Sequence, residues 1–195
     1  MDKTLEFVLE DAKRIYAKCD RAHDFHHIER VLYNSDLISA DIKCEKHLLY
    51  LICILHDIDD KKTPLYQGDG VNATKILRKH GFPDEQIDQI IDEINLISYS
   101  NGKTPKTIEG KIVQDADRID ACGAIGISRT FTYGGANNIP IYSKEEYCTI
   151  QHFYDKLLSL DDHMNFSISK NIIKSRIDFL KLFLKEFYYE LGINT

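Results

Sequence analysis

Three short stretches carry imidazoles and carboxylates at spacings suited to holding a metal ion. The first is Leu49-Tyr50-Leu51-Ile52-Cys53-Ile54-Leu55-His56-Asp57-Ile58-Asp59-Asp60. Six of its first seven residues are aliphatic or Cys, so the run is hydrophobic all round and belongs inside a protein. It ends in His56-Asp57, and buried charges must be paired or must hold a metal. The bland alternative is an exposed polar helix end. The second stretch is His23-Asp24-Phe25-His26-His27. A helix starting near Asp24 with its buried stripe on Ile28, Val31 and Leu32 puts His27 on the same side as Val31, one turn earlier. His26 is then rotated away by about 100°, and His23 precedes the helix and could enter a cleft from the loop. Taken alone, His27 also fits a satisfied boundary histidine. The third stretch is Val113-Gln114-Asp115-Ala116-Asp117-Arg118-Ile119-Asp120. Asp117 lies beside the Ile112/Ala116/Ile119 stripe, whereas Asp115 and Asp120 point elsewhere. Its alternative use is an ion pair with Arg118, Arg129 or a lysine.

Together His27, His56, Asp57 and Asp117 form a set of two imidazoles and two carboxylates. Such a set suits a mid-to-late divalent transition metal better than an all-oxygen ion. Four protein ligands leave two octahedral positions open, one for hydroxide and one for a phosphoryl oxygen. A closed structural zinc site would use Cys or His and leave no open position, so the carboxylates disfavour it.

The elements that must position these residues are helical nearly everywhere. Leu5, Val8, Leu9, Ala12, Ile15, Tyr16 and Cys19 recur at helical spacing, with Thr4 as a candidate cap. A second helix, capped by Asp24, and the apolar third helix follow. Pro64, Gly68 and Gly70 mark a loop, and a fourth helix runs to about His80, where Gly81 stops it. Pro83 opens a fifth helix at its first turn, with Ile87, Ile90, Ile91, Ile94 and Ile97 inside. Ile108, Ile112, Ala116 and Ile119 define a sixth, and Gly123 and Gly126 either break or closely pack the next. Tyr133-Gly134-Gly135-Ala136-Asn137-Asn138-Ile139-Pro140 reads as the longest irregular segment. Ser143-Lys144-Glu145-Glu146 reads as a capping box with a helix following to about Leu160. The last helix carries Ile173, Ile177, Leu180, Leu184 and Phe187. No repeat, linker, β-α alternation or glycine-rich phosphate loop appears. The expected fold is an all-α single domain of about seven to nine helices over residues 1–195.

Composition agrees with an ordinary globular protein. The chain has 195 residues, 43% of them hydrophobic and 29% charged, and a net charge of −6. No basic block points to nucleic acid, and no apolar stretch reaches membrane-spanning length. The five cysteines are odd in number and contain no CxxC pair, so a disulfide framework or cysteine zinc site is not expected. Free thiols fit a reducing cytoplasm, the expected location.

The ordered pieces His23-Asp24-Phe25-His26-His27-Ile28-Glu29-Arg30-Val31, Leu55-His56-Asp57-Ile58 and Gln114-Asp115-Ala116-Asp117-Arg118-Ile119-Asp120 resemble the metal-dependent HD-domain phosphohydrolases. That family is named for its adjacent His-Asp. Gly81-Phe82-Pro83, Glu109-Gly110-Lys111-Ile112-Val113, Gly123-Ala124-Ile125-Gly126, Tyr133-Gly134-Gly135 and His152-Phe153-Tyr154-Asp155-Lys156 are similar to a bacterial branch of stand-alone members, some described as nucleotide pyrophosphohydrolases. The resemblance implies a single HD-domain helical bundle. It makes His27 the first ligand, His56 and Asp57 the namesake pair, and Asp117 the last ligand. The extra histidines of two-metal relatives should fall between Asp57 and Asp117. Only His80 does, at a helix end, so one metal per chain is expected: manganese foremost, with iron, nickel, cobalt or magnesium as alternatives.

Such a metal would lower the pKa of bound water and polarise a phosphoryl oxygen. Asp60, one turn past the His-Asp pair, is a candidate general base, or else a solvent-exposed Asp beside Lys61 and Lys62. His23 is a second acid-base candidate. Arg30, Lys61, Arg129 and Lys156 are candidate phosphate clamps. His152 and Lys156, one turn apart, should present one face. Tyr133-Gly134-Gly135 could form a mobile wall over the substrate. The expected activity is cleavage of a nucleoside triphosphate to monophosphate and pyrophosphate. The alternatives are phosphomonoester hydrolysis, or a non-catalytic sensor that binds metal and nucleotide. The expected partner is a small phosphorylated molecule, with neither nucleic acid nor membrane. Nothing in the sequence speaks to oligomeric state.

Overall fold

The computed structural model describes residues 2–18, 25–61, 65–99 and 102–193. They form α1 (Lys3–Tyr16), α2 (Phe25–Ile38), α3 (Lys46–Leu55), α4 (Val71–Lys79), α5 (Asp84–Ile97), α6 (Ile108–Asp120), α7 (Gly123–Ala136), α8 (Gln151–Asp155) and α9 (Ser167–Glu190). Short 3-10 turns cover Ser39–Asp41 and Leu157–His163. No strand occurs among the described residues, so the protein is all-α. Two compact units divide the chain at Asp117/Arg118, inside α6.

The first unit is built around α3. Leu49, Leu51, Ile52, Cys53, Ile54 and Leu55 are fully buried, as a segment apolar on every side must be. Helices α1, α2 and α5 pack against it. Each contributes one stripe: Leu5, Val8, Ala12 and Tyr16; Ile28, Val31 and Ile38; Ile87, Ile90, Ile94 and Ile97. The second unit packs α7 against α9. Its core contains Phe153, Leu157, Leu160, Ile173, Ile177 and Leu180. Phe131, Phe153 and Phe183 form an aromatic cluster with centroids 5.8–6.0 Å apart.

Several local expectations are corrected. Asp2, not Thr4, caps α1, its carboxylate accepting the Leu5 N–H at 2.9 Å. Pro83 is the cap of α5 rather than part of its first turn. The expected cap Asp24 lies outside the described residues. Tyr133-Gly134-Gly135 is helical, because α7 continues to Ala136. Gly134 is required there by close approach: a Cβ would run into Thr149 Oγ1. Ser143 does accept the N–H groups of Glu145 and Glu146, at 3.1 and 3.2 Å, but only a turn results. The N–H groups of Thr149 and Ile150 are taken by the carbonyls of Pro140 and Ile141, which ends any helix begun at Ser143. Helix α8 therefore starts only at Gln151 and ends at Asp155.

Candidate metal centre

Three elements of the first unit deliver the ligand candidates. His27 lies in the first turn of α2 with only 1% of its surface exposed. His26, one position earlier, is exposed and bonds Glu29 through Nδ1 at 2.8 Å. His56 caps the C-terminus of α3. Its Nδ1 lies 2.9 Å from the Cys53 carbonyl, an acceptor only, so Nδ1 carries the proton and donates it there. That leaves the His56 Nε2 lone pair for the centre, the arrangement usual for a ligating imidazole. Asp57 follows directly, and Asp117 projects from α6; each carboxylate side chain is about a quarter exposed.

Three of the groups converge, and the fourth, Asp117, reaches one of them. His27 Nε2 is 3.3 Å from His56 Nε2, 3.4 Å from Asp57 Oδ2 and 3.5 Å from Asp117 Oδ1. His56 Nε2 is 3.6 Å from Asp57 Oδ1. Donor atoms held about 2.0–2.2 Å from one ion at tetrahedral to octahedral angles lie about 2.8–3.6 Å apart. The observed separations match that spacing. Ligand atoms of His27, His56 and Asp57 all lie within 4.8 Å of one another, while Asp117 joins through His27. With neutral imidazoles the four side chains sum to −2, which a divalent cation would balance. The donor set thus fits a divalent metal. The nearby Cys53 thiol, pushed up to about 12 by burial with the Ser35 hydroxyl pulling the other way, is not in the ligand group.

Buried hydrogen bonds fix the helices that present these groups, and none of them was foreseen. Glu93, 2% exposed on α5, accepts the N–H of Lys106 at 3.2 Å and the Thr107 hydroxyl at 2.9 Å, just before α6. Thr107 Oγ1 in turn accepts the Gly110 N–H. A Cβ at Gly110 would run into Glu93 Oε2 and approach Pro105 Cβ to 2.7 Å. Glu109 accepts the N–H of Glu45, whose own carboxylate caps α3 at His47 and Leu48. Gln114 donates to the carbonyls of Leu96, Ile97 and Lys103. Asn34 donates to the carbonyl of Ala116, beside Asp117. The only local signal for Glu93 was its place between Ile90 and Ile94, on the buried side of α5.

The remaining candidates fall as follows. Asp60 is half-buried, and its N–H bonds the Asp57 carbonyl at 3.1 Å. Lys61 is exposed, and Arg30 is half-buried on α2. His23 lies outside the described residues. His80 bonds Asp11 at 2.8 Å and is not among the ligand group. In the second unit, Arg129 bonds the buried Asp120 at 2.6 Å. His152 is half-buried on α8, and Lys156, which follows the helix end with φ −138°, still bonds the His152 carbonyl through its N–H at 3.1 Å. Tyr133-Gly134-Gly135, being part of α7, is not the loop that a mobile wall would need. No helix among the described residues is long and apolar enough to cross a membrane.

An all-α scaffold that brings His27, His56 and Asp57 together, with Asp117 3.5 Å from His27, is shared with known proteins. Residues 24–122 match the HD domain, and the chain belongs to the HD domain family. It is 34% identical to the uncharacterized protein YpgQ of Bacillus subtilis (strain 168) over 169 residues, 84% of this chain and 82% of that one. The crystal structure of Bacillus subtilis YpgQ in complex with ADP is similar, with TM-score 0.82, 27% identity, and 96% and 95% of the two chains covered. An HD-superfamily hydrolase from Bacillus thuringiensis is similar with TM-score 0.77 and 30% identity, 98% of each chain covered. HD domains bind divalent metals.

Proposed function

We propose that the chain is a metal-dependent phosphohydrolase of nucleotides, acting on nucleoside triphosphates to release monophosphate and pyrophosphate. The observation that carries this reading is the convergence of His27 Nε2, His56 Nε2 and the Asp57 carboxylate at metal-ligand spacing, with the Asp117 carboxylate 3.5 Å from His27 Nε2. The ADP held by YpgQ and the hydrolase activity named for the Bacillus thuringiensis relative support the substrate and reaction class.

In this proposal His27, His56, Asp57 and Asp117 hold one divalent ion, manganese foremost. When bound, it acidifies water and neutralises charge on a phosphoryl oxygen. Asp60 accepts a proton from the attacking water or orients it, and His23 serves as the second acid-base group. The water oxygen forms a bond to the α-phosphorus, the bond from that phosphorus to the bridging oxygen breaks, and pyrophosphate leaves. Arg30, Lys61, Arg129, His152 and Lys156 are the proposed phosphate contacts, supplying positive charge where negative charge develops. Arg129 would have to serve while paired to Asp120. We take residues 1–195 to act as one HD domain in the cytoplasm.

The test is a nucleotide panel with manganese, with orthophosphate and pyrophosphate measured separately. Pyrophosphate release from triphosphates supports the proposal, and orthophosphate from monophosphates would replace it with a nucleotidase. Tight binding of metal and nucleotide with no phosphate released from any nucleotide would make the chain a sensor.

A further inference from the structure

The chain Asp57-Ile58-Asp59-Asp60 puts three carboxylates within four residues. Asp57 joins the ligand group, and Asp60 is the proposed partner of the water. Asp59 does neither. Its Oδ1 accepts the N–H of Asn72 at 2.9 Å, and its Oδ2 accepts the N–H of Ala73 at 3.0 Å. Those N–H groups belong to the first turn of α4, where a helix has donors with no partner of its own. Helix α4 opens on Gly70, in a left-handed conformation with no side-chain cap, so a residue far along the chain supplies the missing acceptor. A carboxylate suits this role doubly, because the positive end of the helix dipole attracts it.

Both ends of this bridge are held firmly. On one side, Ala73 and Leu77 of α4 are fully buried, and Asn72 is tied to the Leu65 carbonyl at 3.0 Å. On the other, Ile58 is fully buried, and its N–H bonds the Leu55 carbonyl at 3.2 Å. The Asp60 N–H then closes onto the Asp57 carbonyl at 3.1 Å. The turn carrying His56 and Asp57 is therefore fastened behind by α3 and ahead, through Asp59, by α4.

We propose that Asp59 is a positioning residue for the metal centre: by gripping two N–H groups of α4 it holds the His56–Asp57 turn so that the Asp57 carboxylate meets His27 and His56. This rests on the metal reading above. An ordinary helix cap would affect stability alone. A positioning residue also affects metal affinity at temperatures where the variant is fully folded.

The test is a manganese titration of the full chain by calorimetry at 25 °C, with folding checked by circular dichroism. Asp59→Ala should weaken manganese affinity by about 10- to 100-fold, the range typical of groups that orient metal ligands. Asp59→Asn keeps one carbonyl acceptor and should weaken it by a smaller factor. Asp2→Ala, which removes the cap of α1, should leave it unchanged. If Asp59→Ala does not fold, Asp59→Asn decides, and wild-type affinity in whichever variant decides overturns the inference. A wild-type chain that takes up no manganese overturns both this inference and the metal reading. A wild-type chain that binds it, alongside a folded Asp59→Ala variant that binds equally well, overturns this inference alone.

Discussion

Two of the clusters in the first unit that pair histidine with aspartate come to opposite ends. Around Asp11, the Lys79 ammonium lies at 2.6 Å and His80 Nε2 at 2.8 Å, with the Phe7 ring stacked 5.9 Å from the imidazole. Hydrogen bonding from Lys79, followed by the smaller pull of His80, holds the Asp11 carboxyl below its usual range against the opposing effect of burial. One carboxylate has its own cation there, and the cluster is a surface latch between α1 and α4. Around His27, two carboxylates face two imidazoles at 3.3–3.6 Å. Residue types alone do not separate a latch from a ligand set. Their stoichiometry does, together with the His56 Nδ1 bond to Cys53 that turns Nε2 inward.

The sharpest way to break this comparison is to remove one imidazole. His27→Ala should drop bound manganese from about one per chain to near none, because a metal site depends on its ligand count and geometry. His26→Ala, removing an exposed side chain, should leave it at one. The measurement is elemental analysis after dialysis. The reverse pattern would mean that α2 presents the wrong histidine, and two ions per chain would reject a mononuclear centre. Next in size is turnover. Asp57→Asn keeps the shape of a proposed ligand and removes its charge, so metal and activity should fall together. Asp60→Asn should keep near-normal manganese while lowering turnover by about 10²- to 10⁴-fold, the range of a positioned acid-base group. Equal losses of metal in both variants would erase the distinction between ligand and base.

A third lesion probes the support of α6, which carries Asp117. Gly110→Ala forces a methyl against Glu93 and Pro105, where Glu93 holds the Thr107 cap in place. Overpacking of this kind costs about 1–3 kcal/mol. The check is urea denaturation, and an unchanged midpoint would show that Glu93 moves aside freely.

Much of this arrangement was legible in local pattern. The unbroken apolar run marks α3 as central, and the Ile28/Val31 register separates buried His27 from exposed His26. The placement of Asp117 beside Val113 on α6 follows from the same helical geometry. What escaped were the buried hydrogen bonds whose partners lie far along the chain. The bonds of Glu93 to Thr107, Glu109 to Glu45 and Asp59 to Ala73 join residues from different elements. Gly134 looked like loop material because its neighbour Thr149 is remote in sequence. The Ser143 signal was locally correct: its hydroxyl does gather two N–H groups. It did not become a helix because Pro140 and Ile141 claim the N–H groups that propagation needed.

The smallest predicted effect lies at the latch. Asp11 has a lowered carboxyl pKa in the folded chain, so the fold favours its ionised form. By linkage, its stabilisation is present above the unfolded carboxyl value of about 3.9 and is lost as pH falls through the lower folded value. Asp11→Asn should therefore be less stable than the parent at pH 7, and the gap should close as pH falls below about 4. Lys79 is mostly exposed, so the pair is screened and contributes about 0.2–1 kcal/mol. For a chain of this size that is a melting shift of about 0.4–4 °C, readable by calorimetry at pH 7 and again near pH 3. Manganese uptake should not change, because Asp11 already has its cations and serves no ligand. A loss of manganese in Asp11→Asn, or a stability gap that widens in acid, would mean that the latch and the ligand set are not the separate devices their charge stoichiometry describes.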